Sequence, residues 1–183
     1  MPRDHTAPRL DPRAPLVLDT RELGRRPGSM RRVRRTVPAP GGFGLELIGV
    51  PEGTDLELDL RLEAVVEGVL VSGTARAPLS GECGRCLEPV AAEVEAELQE
   101  LFAYDDAGEE TGRLAGDLID LEPAVRDAVV LALPLTPLCR AECPGLCPGC
   151  GARLDNVEPG HMHVEADPRW AALRLVTDEN EES

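Results

Sequence analysis

Leucines fall at every second position in one stretch of this chain, Leu56, Leu58, Leu60 and Leu62, alternating with Glu57, Asp59, Arg61 and Glu63. A strand turns successive side chains to opposite faces, so this run must lay an apolar face on a core and a charged face toward solvent. Beyond Glu67-Gly68 the alternation resumes with Val69, Val71, Ala75, Ala77 and Leu79, which predicts an antiparallel hairpin. The next run, PVAAEVEAELQELF, fits two periods: Val90, Ala92, Val94, Ala96 and Leu98 alternate, while Val90, Val94, Leu98 and Leu101 share a helical face. We read it as a strand, since a tight connection precedes it and its predecessor offers a pairing edge.

The stretch AYDDAGEETGRLAGD reads as an acidic loop before a helix that starts near Asp120, with Pro123 in its first turn. Val125, Ala128, Val129 and Ala132 form its buried stripe, and Pro134 and Pro137 end it. A second, short helix is predicted where Asp167 caps, Pro168 opens the first turn, and Trp170, Leu173 and Val176 face inward. Residues 1–44 read as an Arg- and Pro-rich N-terminal arm outside the core, 45–177 as the domain, and 178–183 as an acidic tail.

Hydrophobic residues make up 42% of the chain but aromatics only 2%, so the core has to be built from Leu, Val and Ala. The opening residues lack the pattern of a secretory signal, and no run approaches the ~18 apolar residues of a membrane span. A cytoplasmic protein without a membrane segment is expected. Residues 1–40 carry ten arginines against four acids, a net +6 that leaves −21 for the remainder of a chain whose total is −15. Such a body repels a polyanion, so any nucleic-acid contact falls to Arg25, Arg26, Arg31, Arg32, Arg34 and Arg35.

Four of the six cysteines lie in CRAECPGLCPGCG, at Cys139, Cys143, Cys147 and Cys150. In a reducing compartment clustered thiols read first as metal ligands. A C-x-x-C turn reverses the backbone so that two thiolates meet one ion, and Gly151 after the second cysteine allows the tight knuckle. Zinc needs four ligands, and Cys139 and Cys143 are nearest in sequence to Cys147 and Cys150. Two other completions stay open: His161 and His163, or the earlier pair Cys83 and Cys86. Eight donors also suffice for two ions. An all-cysteine zinc site is closed to substrate water, which points to a structural zinc.

The fold expected is therefore α+β: an antiparallel sheet of hairpin-connected strands, then a helix, a Cys-rich zinc knuckle over 139–151, and a short C-terminal helix. The chain contains no G-x-G-x-x-G, no G-x-S-x-G, no H-E-x-x-H and no lysine for a Walker motif, so enzyme readings are disfavoured. The runner-up function is a C-x-x-C thiol-disulfide oxidoreductase, although GECGRCLEPV does not open a convincing helix.

VLDTRELGRRPGSMRRV, GECGRCLEPV, the run from GDLIDLEPAV to CPGLCPGCGARLDN, and DPRWAALRLV together resemble the YceD family, the large ribosomal RNA subunit accumulation proteins. CPGLCPGCG is the most specific part. The resemblance implies a small non-enzymatic bacterial protein that supports 23S rRNA accumulation or large-subunit assembly. The partner expected is the 23S rRNA precursor or, since the body is strongly acidic, a basic large-subunit ribosomal protein. Many cysteine-rich members have a C-x-C where this chain has His161-Met162-His163, and histidine can replace thiolate at zinc.

Overall fold

The computed structural model describes residues 10–104 and 112–163. They form two compact units: one of residues 10–84, 88–104 and 112–139, the other of 85–87 and 140–163.

The first unit is an eight-stranded, mostly antiparallel sheet with one helix. In chain order its strands are β1 (Val17–Asp19), β2 (Met30–Pro38), β3 (Ile48–Gly49), β4 (Asp55–Ala64), β5 (Gly68–Glu82), β6 (Pro89–Ala103), β7 (Gly112–Ala115) and β8 (Leu118–Asp120). The order across the sheet is β1-β8-β7-β6-β5-β4-β2, with β3 on β5. The leucine alternation sets the register: Leu58, Leu60 and Leu62 lie opposite Ala75, Gly73 and Val71, and Leu56, Leu58, Leu60 and Leu62 are all buried. Gly73 has φ +154°, and a Cβ there would sit 2.1 Å from the carbonyl oxygen of Asp59. Only glycine lets β5 pass β4 this closely.

PVAAEVEAELQELF is strand β6, paired along its whole length with β5. Partnering decides the ambiguity: Val94, Ala96 and Leu98 are buried against the sheet while Glu93, Glu95 and Glu97 stay exposed, a segregation that only the period of two achieves. Helix α1 (Glu122–Ala132) follows β8, with Pro123 in its first turn and the Glu122 amide donating to Asp120 Oδ1 at 3.0 Å. Val125 and Val129 are its buried residues. Ala132, expected in the buried stripe, is exposed; the backbone becomes extended at Leu133, and that side chain is buried in its place.

Residues 10–44 are not an arm. β2, which holds the arginine run, pairs with β4 from Met30↔Glu63 to Pro38↔Asp55, and Leu16, Leu18, Leu23, Val37, Ala39 and Phe43 belong to the core. Arginine stems can lie along a sheet while their heads stay wet, so a charged strand carries little apolar pattern to read. The acidic loop is also shorter than expected, because Gly112–Ala115 and Leu118–Asp120 pair as a small hairpin that turns through Gly116 at φ +70°. The expected helix from Asp167 and the acidic tail lie outside the described residues.

Candidate metal centres and the arginine strand

The second unit is organised around a C-x-x-C turn. Cys147 N–H donates to the Ala152 carbonyl at 2.7 Å, Gly151 N–H to the Cys147 carbonyl at 2.8 Å, and Leu154 N–H to the Gly145 carbonyl at 3.0 Å. Gly151 takes φ +71°, which reverses the chain just past Cys150. The turn aims backbone amides at sulfur: N–H groups of Cys150 and Gly149 hold the Cys147 thiol below its ordinary pKa, against the opposing effect of burial. A thiolate favoured in this way is the form that binds metal.

His161 and His163 come back onto this turn. Cys150 Sγ lies 3.4 Å from His161 Nε2, and the Nε2 atoms of the two histidines are 3.1 Å apart. Gly149 makes room, since a Cβ there would meet the Cβ, Cγ and Cδ2 of His163 at 2.9 Å. The donor atoms of Cys147, Cys150, His161 and His163 all lie within 4.8 Å of one another.

A second group consists of Cys83, Cys86, Cys139 and Cys143, whose sulfurs also lie within 4.8 Å of one another. Cys83 ends the β5–β6 hairpin, where its N–H donates to the Glu88 carbonyl at 2.8 Å. This is the same bond, from a cysteine to the fifth residue beyond, that Cys147 makes to Ala152. Leu87, the residue after Cys86, has φ +60° and is the only non-glycine with positive φ among the described residues. It holds the left-handed position that Gly151 holds after Cys150. Thus the two C-x-x-C turns are the same knuckle. Gly84 N–H donates to the Pro137 carbonyl at 2.8 Å, two residues before Cys139, and Arg85 Nη1 donates to the Cys143 carbonyl at 2.9 Å.

The run of four cysteines expected around one ion therefore divides, with Cys139 and Cys143 beside Cys83 and Cys86, and Cys147 and Cys150 beside the two histidines. Both donor sets suit zinc. Thiolates at ~2.3 Å and imidazole nitrogens at ~2.0 Å around a tetrahedral ion give ligand edges of roughly 3.3–3.8 Å, close to the 3.4 and 3.1 Å separations in the histidine site. Cys83-x-x-Cys86 sits at the tip of an antiparallel hairpin and opens no helix, so the helix N-terminus that activates a thioredoxin-type thiol is absent from this turn.

The family model for the large ribosomal RNA subunit accumulation protein YceD matches residues 71–176, a stretch that includes every cysteine and both of these histidines. This chain belongs to the YceD family. Similar chains include the uncharacterized protein Rv2926c of Mycobacterium tuberculosis, 52% identical over 87% of this chain and 80% of its own length. ML1660 of Mycobacterium leprae is 45% identical over 87% of this chain and 76% of its own length. YlbN of Bacillus subtilis is 27% identical over 68% of this chain and 73% of its own length. No solved structure matches. No helix among the described residues of this YceD-family chain is long and apolar enough to cross a membrane.

The six arginines expected as nucleic-acid contacts are spread over two surfaces. In β2, Arg31 and Arg35 lie opposite Leu62 and Leu58 on the core side, and Arg32 and Arg34 lie opposite Arg61 and Asp59 on the outer side. Arg31 pairs with Glu22 at 3.1 Å, Arg34 with Asp59 at 2.9 Å and Arg25 with Asp117 at 3.9 Å, while Arg25 also covers the Tyr104 ring. Arg35 Nη1 donates to the Val17 carbonyl at 3.1 Å. Arg26 and Arg32 have no ion pair among the described residues. Four of these six arginines thus have a partner within the YceD-family sheet, and all but Arg31 remain exposed.

Proposed function

We propose that this protein is a non-enzymatic cytoplasmic factor that supports 23S rRNA accumulation by binding a basic large-subunit ribosomal protein during assembly. Membership of the YceD family carries this reading. The choice of a basic protein over the 23S rRNA precursor is supported by the exposed face of β4, β5 and β6, where Glu57, Asp59, Glu93, Glu95 and Glu97 outnumber Arg61 and Arg76 on one side of the sheet, with Arg76 paired to Glu95 and Arg34 of β2 to Asp59. A polyanion approaching this face meets like charge, whereas a basic surface is attracted to it.

Two structural zinc ions complete the proposal. Cys83, Cys86, Cys139 and Cys143 would hold one, and Cys147, Cys150, His161 and His163 the other. Bound zinc would fix the two knuckles, because its binding free energy becomes folding free energy where no apolar core is available. The second unit has little else to hold it: among its described residues only Cys143 and Cys147 are buried hydrophobics besides Cys86.

Deletion of the gene tests the functional reading. The expected result is a lower ratio of 23S to 16S rRNA and a smaller large-subunit peak, both restored by the intact chain. Unchanged rRNA ratio and subunit profile would contradict it.

A further inference from the structure

The two outermost strands of the sheet, β1 and β2, have no strand partner on their outer edges among the described residues. They face each other across a groove of about 710 Å³. What spans it is side chain: Arg31 Nη1 donates to the Asp19 carbonyl at 3.4 Å and Arg35 Nη1 to the Val17 carbonyl at 3.1 Å. Neighbouring strands stand ~4.8 Å apart, and an arginine side chain plus a hydrogen bond reaches across more than one such spacing. In the groove, guanidinium groups occupy carbonyl oxygens of β1 that the amides of a neighbouring strand would otherwise take.

We propose that this groove binds an extended acidic peptide segment of a partner protein, taken up as an added strand between β1 and β2. Backbone groups on the free edges supply the pairing, as in strand addition generally. Incoming amides would replace the arginines at the Val17 and Asp19 carbonyls, freeing Arg35 for a carboxylate and leaving Arg31 to exchange Glu22 for one. The lining fixes the sequence class. Arg31, Arg32, Arg34 and Arg35 call for acids at four neighbouring positions, and the half-buried Val33 between them calls for an apolar residue. The pattern is acid, acid, apolar, acid, acid. Asp19 and Glu22 are the only acids in the lining, against five arginines. A single short segment suits this local basic strip better than a long polyanion, which the strongly acidic remainder of the chain repels.

The test is fluorescence anisotropy with the full chain and a labelled peptide of core sequence Glu-Glu-Val-Glu-Glu. Saturable binding is expected, weakened about tenfold by the joint substitution Arg32→Gln and Arg34→Gln. Both side chains are exposed, so circular dichroism should show that variant folded; if it does not fold, a peptide N-methylated at alternate residues decides on the wild type. Weaker binding of the methylated peptide supports strand addition. Equal binding of it, or no saturable binding of the parent peptide, overturns the proposal. So do tighter competing binding of an oligouridine, dimerisation seen by light scattering, or a gain in peptide affinity on removing residues 178–183, which assign the groove to nucleic acid, to a second copy or to the chain's own tail.

Discussion

Cys150 Sγ lies 3.4 Å from His161 Nε2, with His163 Nε2 a further 3.1 Å on. Two residues eleven positions apart in sequence thus bring sulfur and nitrogen donors to one point, which is what a mixed thiolate and imidazole zinc site requires. Substituting His161→Ala and His163→Ala together should remove one of two bound zinc ions and leave the other. Metal analysis of the purified variant checks this. Retention of both ions would show that the histidines are not ligands.

The equivalence of Leu87 and Gly151 makes a second prediction. A non-glycine residue in the left-handed region carries a cost of roughly 1–2 kcal/mol, and Leu87, 52% exposed, gains little from packing in return. Leu87→Gly should therefore stabilise the protein by about 0.5–1 kcal/mol, while Gly151→Ala should destabilise it by about 1 kcal/mol. Chemical denaturation with zinc present measures both. Opposite signs would mean that the two turns are not the same knuckle.

A third prediction concerns the edge of β1. Arg21 donates through both its side chain and its amide to the Asp19 carboxylate, which is held at a pKa of about 2 against an ordinary value of 3.8. Its folded-state pKa is lowered, so the associated stability is present above the ordinary pKa and is lost as pH falls through about 2. An NMR titration should find the Asp19 midpoint near 2, and Arg21→Ala should return it toward 3.8. An unmoved midpoint would exclude Arg21 as the cause.

The core carries a fourth. Leu60 is 1% exposed in the middle of β4, and replacing it with alanine leaves a cavity that flanking side chains fill only partly. Leu60→Ala should cost about 2–5 kcal/mol in thermal or chemical denaturation. A loss below about 1 kcal/mol would place the true core elsewhere.

What could be read from sequence follows from how each element is stabilised. β4, β5 and β6 were legible because Leu56 to Leu62 and their partners segregate apolar from charged residues with a period of two. β2 was not, because Arg31 and Arg35 occupy core-side positions where apolar residues are expected, and their heads reach hydrogen-bond acceptors on β1. The cysteines were legible as metal ligands from the C-x-x-C spacing. Their grouping was not, since Cys83 and Cys139 are brought together by the hairpin tip and its bond from Gly84 to Pro137, a tertiary relation that spacing does not encode. The repeated knuckle was hidden for a local reason. Leu87 holds a position where glycine would have announced the turn.

Two zinc ions per chain are the central claim, and native mass spectrometry measures them directly. The wild type should carry two ions, and the Cys147→Ser, Cys150→Ser variant should keep one, held by Cys83, Cys86, Cys139 and Cys143. A metal-free wild type, or a variant that loses all its metal, would contradict the account.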